Sequence, residues 1–305
     1  MPPLLITILG PTASGKTALA AALAARLQGE VISADSRQVF RGMDIGTGKD
    51  LADYCVQEKS IPYHLIDICH PSEEYNAYRF MGDFKAAFVD IVSRGRQPIL
   101  CGGTGLYLDA VIRAYHLADA PIDPAYRRSL NTSSDAELTE RLASLVPLHN
   151  HTDTETRDRL VRALEIQEFA QSNPDAYIKL PPMRHLVFGI RMPREVLIAR
   201  IEARLRQRLA EGMTTEVQHL LDEGIDANRL MRFGLEYRHV TRFLFGLCSE
   251  QQMFDNLFTD IRRFSKRQMT WFRRMERNGV EIHWIDGTLP LSERLECLLA
   301  ELQKV

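Results

Sequence analysis

Residues 10–17 read Gly10-Pro11-Thr12-Ala13-Ser14-Gly15-Lys16-Thr17 and fit G-x-x-x-x-G-K-[ST] at every position. An apolar, strand-like run at 4–10 leads in, and an alanine-rich helical run at 17–27 leads out. The motif works only between a strand and a helix, so it dictates the first fold unit. Its glycines let backbone N–H groups curl around phosphate oxygens, and the helix start adds its positive end. Gly10, Pro11, Thr12, Ala13, Ser14, Gly15, Lys16 and Thr17 are therefore the expected phosphate cradle. Lys16 would pair with the terminal phosphate, and Thr17 would ligate Mg²⁺. The pattern does not distinguish ATP, GTP or another diphosphate. A chance match in a Gly-rich turn is the plain alternative, and the correct flanks speak against it.

The rest of the first third alternates in the same way. Strands are expected at 30–33, 64–68 and 98–101, and helices at 76–93 and 106–114. Such alternation implies an α/β fold of the P-loop NTPase type, with a parallel sheet and helices on both faces. Residues 117–182 change character, with Pro121, Pro124, Ser133 and Ser134, a helical stretch ending near 147 and a helix from 153 to 169. They read as a helical insertion between a first core part, 1–116, and a return to the core at 183–305. In that return, strands are expected at 186–191 and 280–285, with helices between them.

Parallel sheets bind ligands outside the carboxyl ends of their strands. Two further strand ends carry candidate residues. After 31–32 come Asp35, Ser36, Arg37 and Gln38; after 99–101 come Gly102, Gly103, Thr104 and Gly105. Asp35 is a candidate general base or magnesium ligand, and equally a turn or cap residue. The glycines around Thr104 permit close approach of a ligand, and equally a tight turn with Thr104 as a cap.

The 45% hydrophobic and 26% charged content suits a globular protein, and no apolar run approaches the ~20 residues of a membrane span. Five scattered cysteines without a C-x-x-C pair argue against structural zinc and disulfides and fit the cytoplasm. His149 and His151 lack a partner at metal spacing and read as surface loop residues. The net charge of −2 gives no whole-chain sign of a polyanion. Residues 255–280, however, hold seven cations against three acids, interleaved with Phe264, Trp271 and Phe272. That mixture suits phosphate contacts and stacking on unpaired bases. It also suits a plain amphipathic helix that buries Phe264, Met269, Trp271 and Phe272.

The chain resembles the tRNA dimethylallyltransferases, also called tRNA isopentenyltransferases, of bacterial type. The similar stretches are 10–17, 32–49, 102–107, 158–165, 212–217 and 266–273. The most specific are Asp35-Ser36-Arg37-Gln38 and Lys266-Arg267-Gln268-Met269-Thr270-Trp271-Phe272. The resemblance implies transfer of a dimethylallyl group from dimethylallyl diphosphate to N6 of the adenosine beside the anticodon, position 37, with Mg²⁺ as cofactor. It gives Asp35 the role of base, Thr104 a place at the bridging oxygen of the leaving group, and Lys16 the diphosphate charge. It assigns tRNA contacts to Asp35, Ser36, Arg37, Gln38, Thr104, Arg127, Asp158, Arg159, Leu160, Val161 and Arg162. Arg200 and Arg204 match a phosphate-facing helix. A monomer without membrane attachment is expected. The chain departs from the family at Gly234-Leu235-Glu236-Tyr237-Arg238, where many members carry Gly-Tyr-Lys-Glu.

Three rival readings stand beside this one: a P-loop kinase, an isopentenyltransferase acting on free adenylate, and an RNA-binding switch that uses nucleotide as a regulator. The long basic aromatic segment opposes both small-acceptor readings. Asp35 beside the phosphate loop opposes a pure binding module.

Overall fold

The computed structural model describes residues 1–115, 117–118, 120–145, 154, 156–173 and 176–304. It divides into two units, Met1–Arg113 with Pro181–Val305, and Ala114–Leu180. His149, His151 and the expected helix start at 153 lie outside the described residues.

The larger unit begins with strand β1 (Leu4–Leu9), helix α1 (Lys16–Leu27) and strand β2 (Gly29–Ala34). A small hairpin, β3 (Cys55–Val56) and β4 (Lys59–Ser60), precedes β5 (Tyr63–His64), helix α2 (Ala77–Ser93), strand β6 (Gln97–Gly102) and helix α3 (Gly105–Ile112). The smaller unit holds α4 (Pro124–Ser129), α5 (Asp135–Leu145) and α6 (Arg157–Ser172) around Leu130, Leu138, Leu142, Leu160 and Leu164. The chain then returns through β7 (Arg184–Arg191), α7 (Arg194–Ala210), α8 (Met213–Asp222), α9 (Ala227–Phe233), α10 (Leu235–Leu244), α11 (Glu250–Arg277), β8 (His283–Asp286) and α12 (Leu291–Leu302).

Six strands form one sheet in the order β5-β2-β6-β1-β7-β8, and every pairing is parallel. β1 sits inside it, with Ile6 beside Ile99 on one neighbour and Leu186 on the other. A strand covered on both faces needs a continuous apolar run, which is why 4–9 does not alternate. Ala20, Ala21 and Ala24 of α1 are buried, and their small side chains let the helix lie close on the sheet. A second core, built from α7 to α11, packs on Val39, Phe40 and Met43.

The strand expected at 64–68 stops at His64. Leu65 and Asp67 have φ of 63° and 57°, and a left-handed backbone cannot continue a ladder. The chain turns there to meet residues 38–41: Asp67 N–H donates to Gln38 O at 3.1 Å, and Arg41 Nε donates to Asp67 O at 2.8 Å. The last strand is His283–Asp286 rather than 280–285, because Val280 N–H still closes α11 on Met275 O at 3.0 Å.

α11 starts at a capping box, in which Ser249 and Gln252 side chains each accept the other's N–H. Its inward line is Met253, Leu257, Ile261, Ser265, Gln268, Phe272 and Met275, a helical stripe. Of the four residues that a plain amphipathic helix would bury, Phe272 is fully buried, Met269 and Trp271 are half-buried, and Phe264 is exposed. Two polar residues, Ser265 and Gln268, hold the inner line in their place.

Candidate active site

The carboxyl ends of β1, β2 and β6 deliver three loops to one side of the larger unit. A cavity of about 790 Å³ opens there. Thr12, Ala13, Gly15, Lys16 and Thr17 line it from the first loop; Asp35, Ser36, Arg37 and Gln38 from the second; Gly103, Thr104 and Gly105 from the third. Gly10, Pro11 and Ser14 are buried behind that lining. Arg127, Asp158, Arg159, Leu160, Val161 and Arg162 belong to the smaller unit.

The three loops are joined by specific hydrogen bonds. Asp35 Oδ1 accepts Arg37 N–H at 2.9 Å, a turn that fixes the carboxylate. Ser36 N–H donates to Thr104 Oγ1 at 3.0 Å, and Thr104 N–H donates to Ala34 O at 3.2 Å. Thr104 stands at the start of α3 but makes no side-chain cap. Its hydroxyl proton has only a long partner, Ser36 Oγ at 3.5 Å. Gln268 of α11 links the other pair of loops: its Oε1 accepts Thr12 N–H at 2.9 Å, and its Nε2 donates to Gly103 O at 2.8 Å. A Cβ on Gly103 would lie 2.4 Å from that Nε2, and one on Gly105 2.4 Å from Trp271 Cγ. The glycines thus make room for α11.

Residues 44–50 form a further wall, which includes Gly46, Thr47, Gly48 and Asp50. One carboxylate, Glu216 of α8, accepts the N–H groups of Asp44, Ile45 and Gly46 at 2.7, 2.6 and 3.0 Å. The buried Tyr237 hydroxyl donates to the same carboxylate at 2.7 Å. Lys49 is buried and bonds Phe40 O at 2.8 Å and the carboxylates of Asp44 and Asp67. Gly48, at φ 63°, lies against Arg208, whose Nη2 would be 1.4 Å from a Cβ there.

The cavity is rich in charge. Lys16, Arg37, Arg200, Arg204 and Arg208 face it beside Asp35, Asp50, Asp53 and Glu236. Burial favours the neutral form of Lys16 and lowers its pKa, against the pull of Asp35 and Asp50. Burial likewise lowers Arg37 and Arg208 and raises Glu236. Arg208 sits 3.8 Å from Asp50 and 4.0 Å from Glu236, and Arg204 pairs with Asp50. Burial pushes the Cys101 thiol up to about 12, so it is no nucleophile. A bound anion would meet an excess of donors here, and an apolar group would meet Phe233, Leu235, Phe264 and Trp271. Among the described residues no three His, Cys, Asp or Glu side chains cluster to hold a metal on their own.

In the smaller unit, Leu160 is 1% exposed and packs in the core, so its side chain faces inward. Val161 packs against the same core. Glu165 joins two of the arginines: Arg127 Nη2 and Arg162 Nη1 reach its Oε2 at 2.8 and 2.6 Å, and Asp123 N–H its Oε1 at 2.6 Å. Burial alone raises the Glu165 pKa, but these bonds win and hold it at about 2. The sequence offered no sign of Gln268 as a loop bridge, of Glu216 as a backbone clamp or of Glu236 in the cavity. The Gly234-Leu235-Glu236 departure was the nearest signal for the last.

The IPP transferase family profile matches residues 38–275, and the isopentenyl transferase profile matches 4–60. The chain is 51% identical over 295 residues to tRNA dimethylallyltransferase 2 of Porphyromonas gingivalis, covering 97% of this chain and 98% of that one. It is 53% identical over 284 residues to tRNA dimethylallyltransferase 2 of Syntrophotalea carbinolica, covering 93% and 94%. Among solved structures it is similar to the full-length tRNA isopentenylpyrophosphate transferase of Bacillus halodurans, with TM-score 0.70, 35% identity and coverage of 98% and 97%.

Proposed function

The chain belongs to the tRNA dimethylallyltransferase family, and from that premise we propose that it moves a dimethylallyl group from dimethylallyl diphosphate to N6 of adenosine 37 in tRNA. The observation that carries this reading is the convergence of Lys16, Asp35 and Thr104 on one cavity. A phosphate loop alone would suit a kinase. A carboxylate and a hydroxyl beside it, opposite an apolar wall, suit an alkyl transfer.

Diphosphate leaves well only when its growing charge is neutralised. Lys16 and the loop N–H groups do this, an electrostatic contribution of several kcal/mol in related cases. Thr17 and the diphosphate oxygens would hold Mg²⁺, an ion that usually binds through few protein groups and substrate phosphates. When bound, the ion adds positive charge at the leaving group. Thr104 accepts a backbone N–H and keeps its own proton to donate to the bridging oxygen. Asp35, fixed through one oxygen by Arg37 N–H, takes the proton that the exocyclic amine sheds as the new C–N bond forms. Phe233, Leu235, Phe264 and Trp271 shelter the allylic carbon from water. The adenine must leave its stack to enter, at a cost of a few kcal/mol. Phosphate contacts from α11 and from Arg127, Arg159 and Arg162 of the helical unit offset that cost. Ser36, Arg37 and Gln38 line the cavity and would select the acceptor.

The test is to supply labelled dimethylallyl diphosphate or labelled ATP, each with and without tRNA. Label should pass from dimethylallyl diphosphate to tRNA alone. Phosphate transfer from ATP, or alkylation of free adenylate in the absence of tRNA, would refute the reading.

A further inference from the structure

Arg294, on α12, reaches the back of the phosphate loop. Its Nη1 lies 3.5 Å from the Ser14 carbonyl oxygen, and a Cβ on Gly15 would come within 3.3 Å of the same nitrogen. The residue is 7% exposed and does not line the cavity. Among the described residues no carboxylate lies within ion-pair distance of it, and its Nε has no hydrogen-bond partner. The neighbouring charge that acts on it is another cation, Arg200, which does line the cavity.

Two other buried cations of this unit do have acids. Lys49 has Asp44 and Asp67, and Arg208 has Asp50 and Glu236. A buried guanidinium without a counter-ion destabilises the fold that contains it. The cost is removed if an anion arrives, and the loop between Arg294 and the cavity is built for one. The Ser14 carbonyl faces Arg294, and in a planar trans peptide the Gly15 N–H points the opposite way, so that one peptide dipole runs from the cation toward the anion side of the loop.

We propose that Arg294 is a positioning residue for the diphosphate, a buried cation whose counter-ion is the substrate on the other side of the phosphate loop. This rests on the reading that the loop holds a diphosphate. Arg294 holds the Ser14 carbonyl away from the bound anion and raises the potential at the loop N–H groups. The empty enzyme is less stable for its presence, and the loaded enzyme is more stable for it. Arg200 acts on the same anion from the cavity side.

The probe is magnesium pyrophosphate, with thermal unfolding of wild type, Arg294→Met and Arg294→Lys measured across pyrophosphate concentrations. Arg294→Met should melt at or above wild type without pyrophosphate. It should need about tenfold more pyrophosphate or higher for the same shift, the size expected for one charge ~12 Å away at an effective dielectric near ~20. Arg294→Lys should keep most of the pyrophosphate response. In turnover, Arg294→Met should raise KM for the diphosphate substrate more than KM for tRNA. If Arg294→Met melts below wild type without pyrophosphate, or binds pyrophosphate equally well, Arg294 only ties α12 to the loop and the proposal falls. If wild type itself shows no pyrophosphate response, the diphosphate reading fails first and takes the proposal with it.

Discussion

Replacing Gln268 by leucine should damage the protein far more than a substitution on a basic, wet helix face. Gln268 is 6% exposed and makes two bonds of opposite sense, accepting from Thr12 N–H and donating to Gly103 O. Leucine is similar in size and would leave both backbone groups unpaired. An unpaired buried donor or acceptor costs about 1–3 kcal/mol. Two of them, less the gain from extra apolar burial, predict a loss of about 2–5 kcal/mol, a large part of the ~5–15 kcal/mol that a domain usually has. Gln268→Glu separates the two bonds. An ionised Glu still accepts from Thr12 but sets an oxygen against the Gly103 carbonyl, and it adds negative charge beside the phosphate loop. A protonated Glu can accept and donate as Gln does. Pyrophosphate binding by Gln268→Glu should therefore recover as pH falls toward ~5, while Gln268→Leu shows no such recovery. Urea unfolding and pyrophosphate titration at several pH values read both effects. A Gln268→Leu protein within about 0.5 kcal/mol of wild type, the range of ordinary surface changes, would refute this reasoning.

Asp35→Asn should keep tRNA and diphosphate binding yet lose ~10²–10⁴-fold in single-turnover rate, and an unchanged rate would remove Asp35 as the base. Gly48→Ala places a methyl group 1.4 Å from Arg208 Nη2 on a backbone at φ 63°; it should lower stability by about 1 kcal/mol or more and displace Arg208, as urea unfolding and a crystal structure would check. The Arg94 side chain, despite burial and with help from His64, holds the Glu30 carboxyl at about 2, well below its unfolded value near 4.5. A depressed carboxylate stabilises the fold above the unfolded value, so this contribution should persist above pH ~4.5 and fade as pH drops toward ~2. Glu30→Gln should flatten that stretch of the stability curve, measured by acid unfolding. Replacing both Arg273 and Arg274 by alanine should reduce the slope of log K against log salt for tRNA by ~1.4–1.8; an identical slope would make α11 a solvated face there.

That residues 10–17, Asp35 and Thr104 meet at one cavity was legible because each is a short local pattern at the end of an apolar run. The parallel-sheet rule then brings such ends together. Gln268 was not legible, because its two partners lie 256 and 165 residues away and neither bond leaves a periodic trace. Read as a plain amphipathic helix, 262–274 would bury four large side chains. Polar atoms can take the inner line of a helix when backbone groups wait there to be paired, and the aromatics then move to the flank. Glu216 escaped for the same reason, since its backbone partners are about 170 residues distant. The missed end of β5 is a different case. Leu65 and Asp67 carry no sequence mark of a left-handed backbone, which ties between Asp67 and residues 38–41 impose.

The separation between Thr12 and Gln268 also has a meaning in time. On the ribosome, the phosphate loop is made early, but β1 lacks its β7 neighbour until residues 184–191 appear. Gln268 follows later, and Arg294 later still. At about 5–20 residues per second, roughly ten seconds to a minute pass between the loop and its bridge. During that interval the nascent chain carries the full cradle motif without the contacts that shape it. An interrupted translation product would thus be a poor trap for cellular diphosphates, and ligand capture would serve as a late checkpoint that favours chains synthesised past α11.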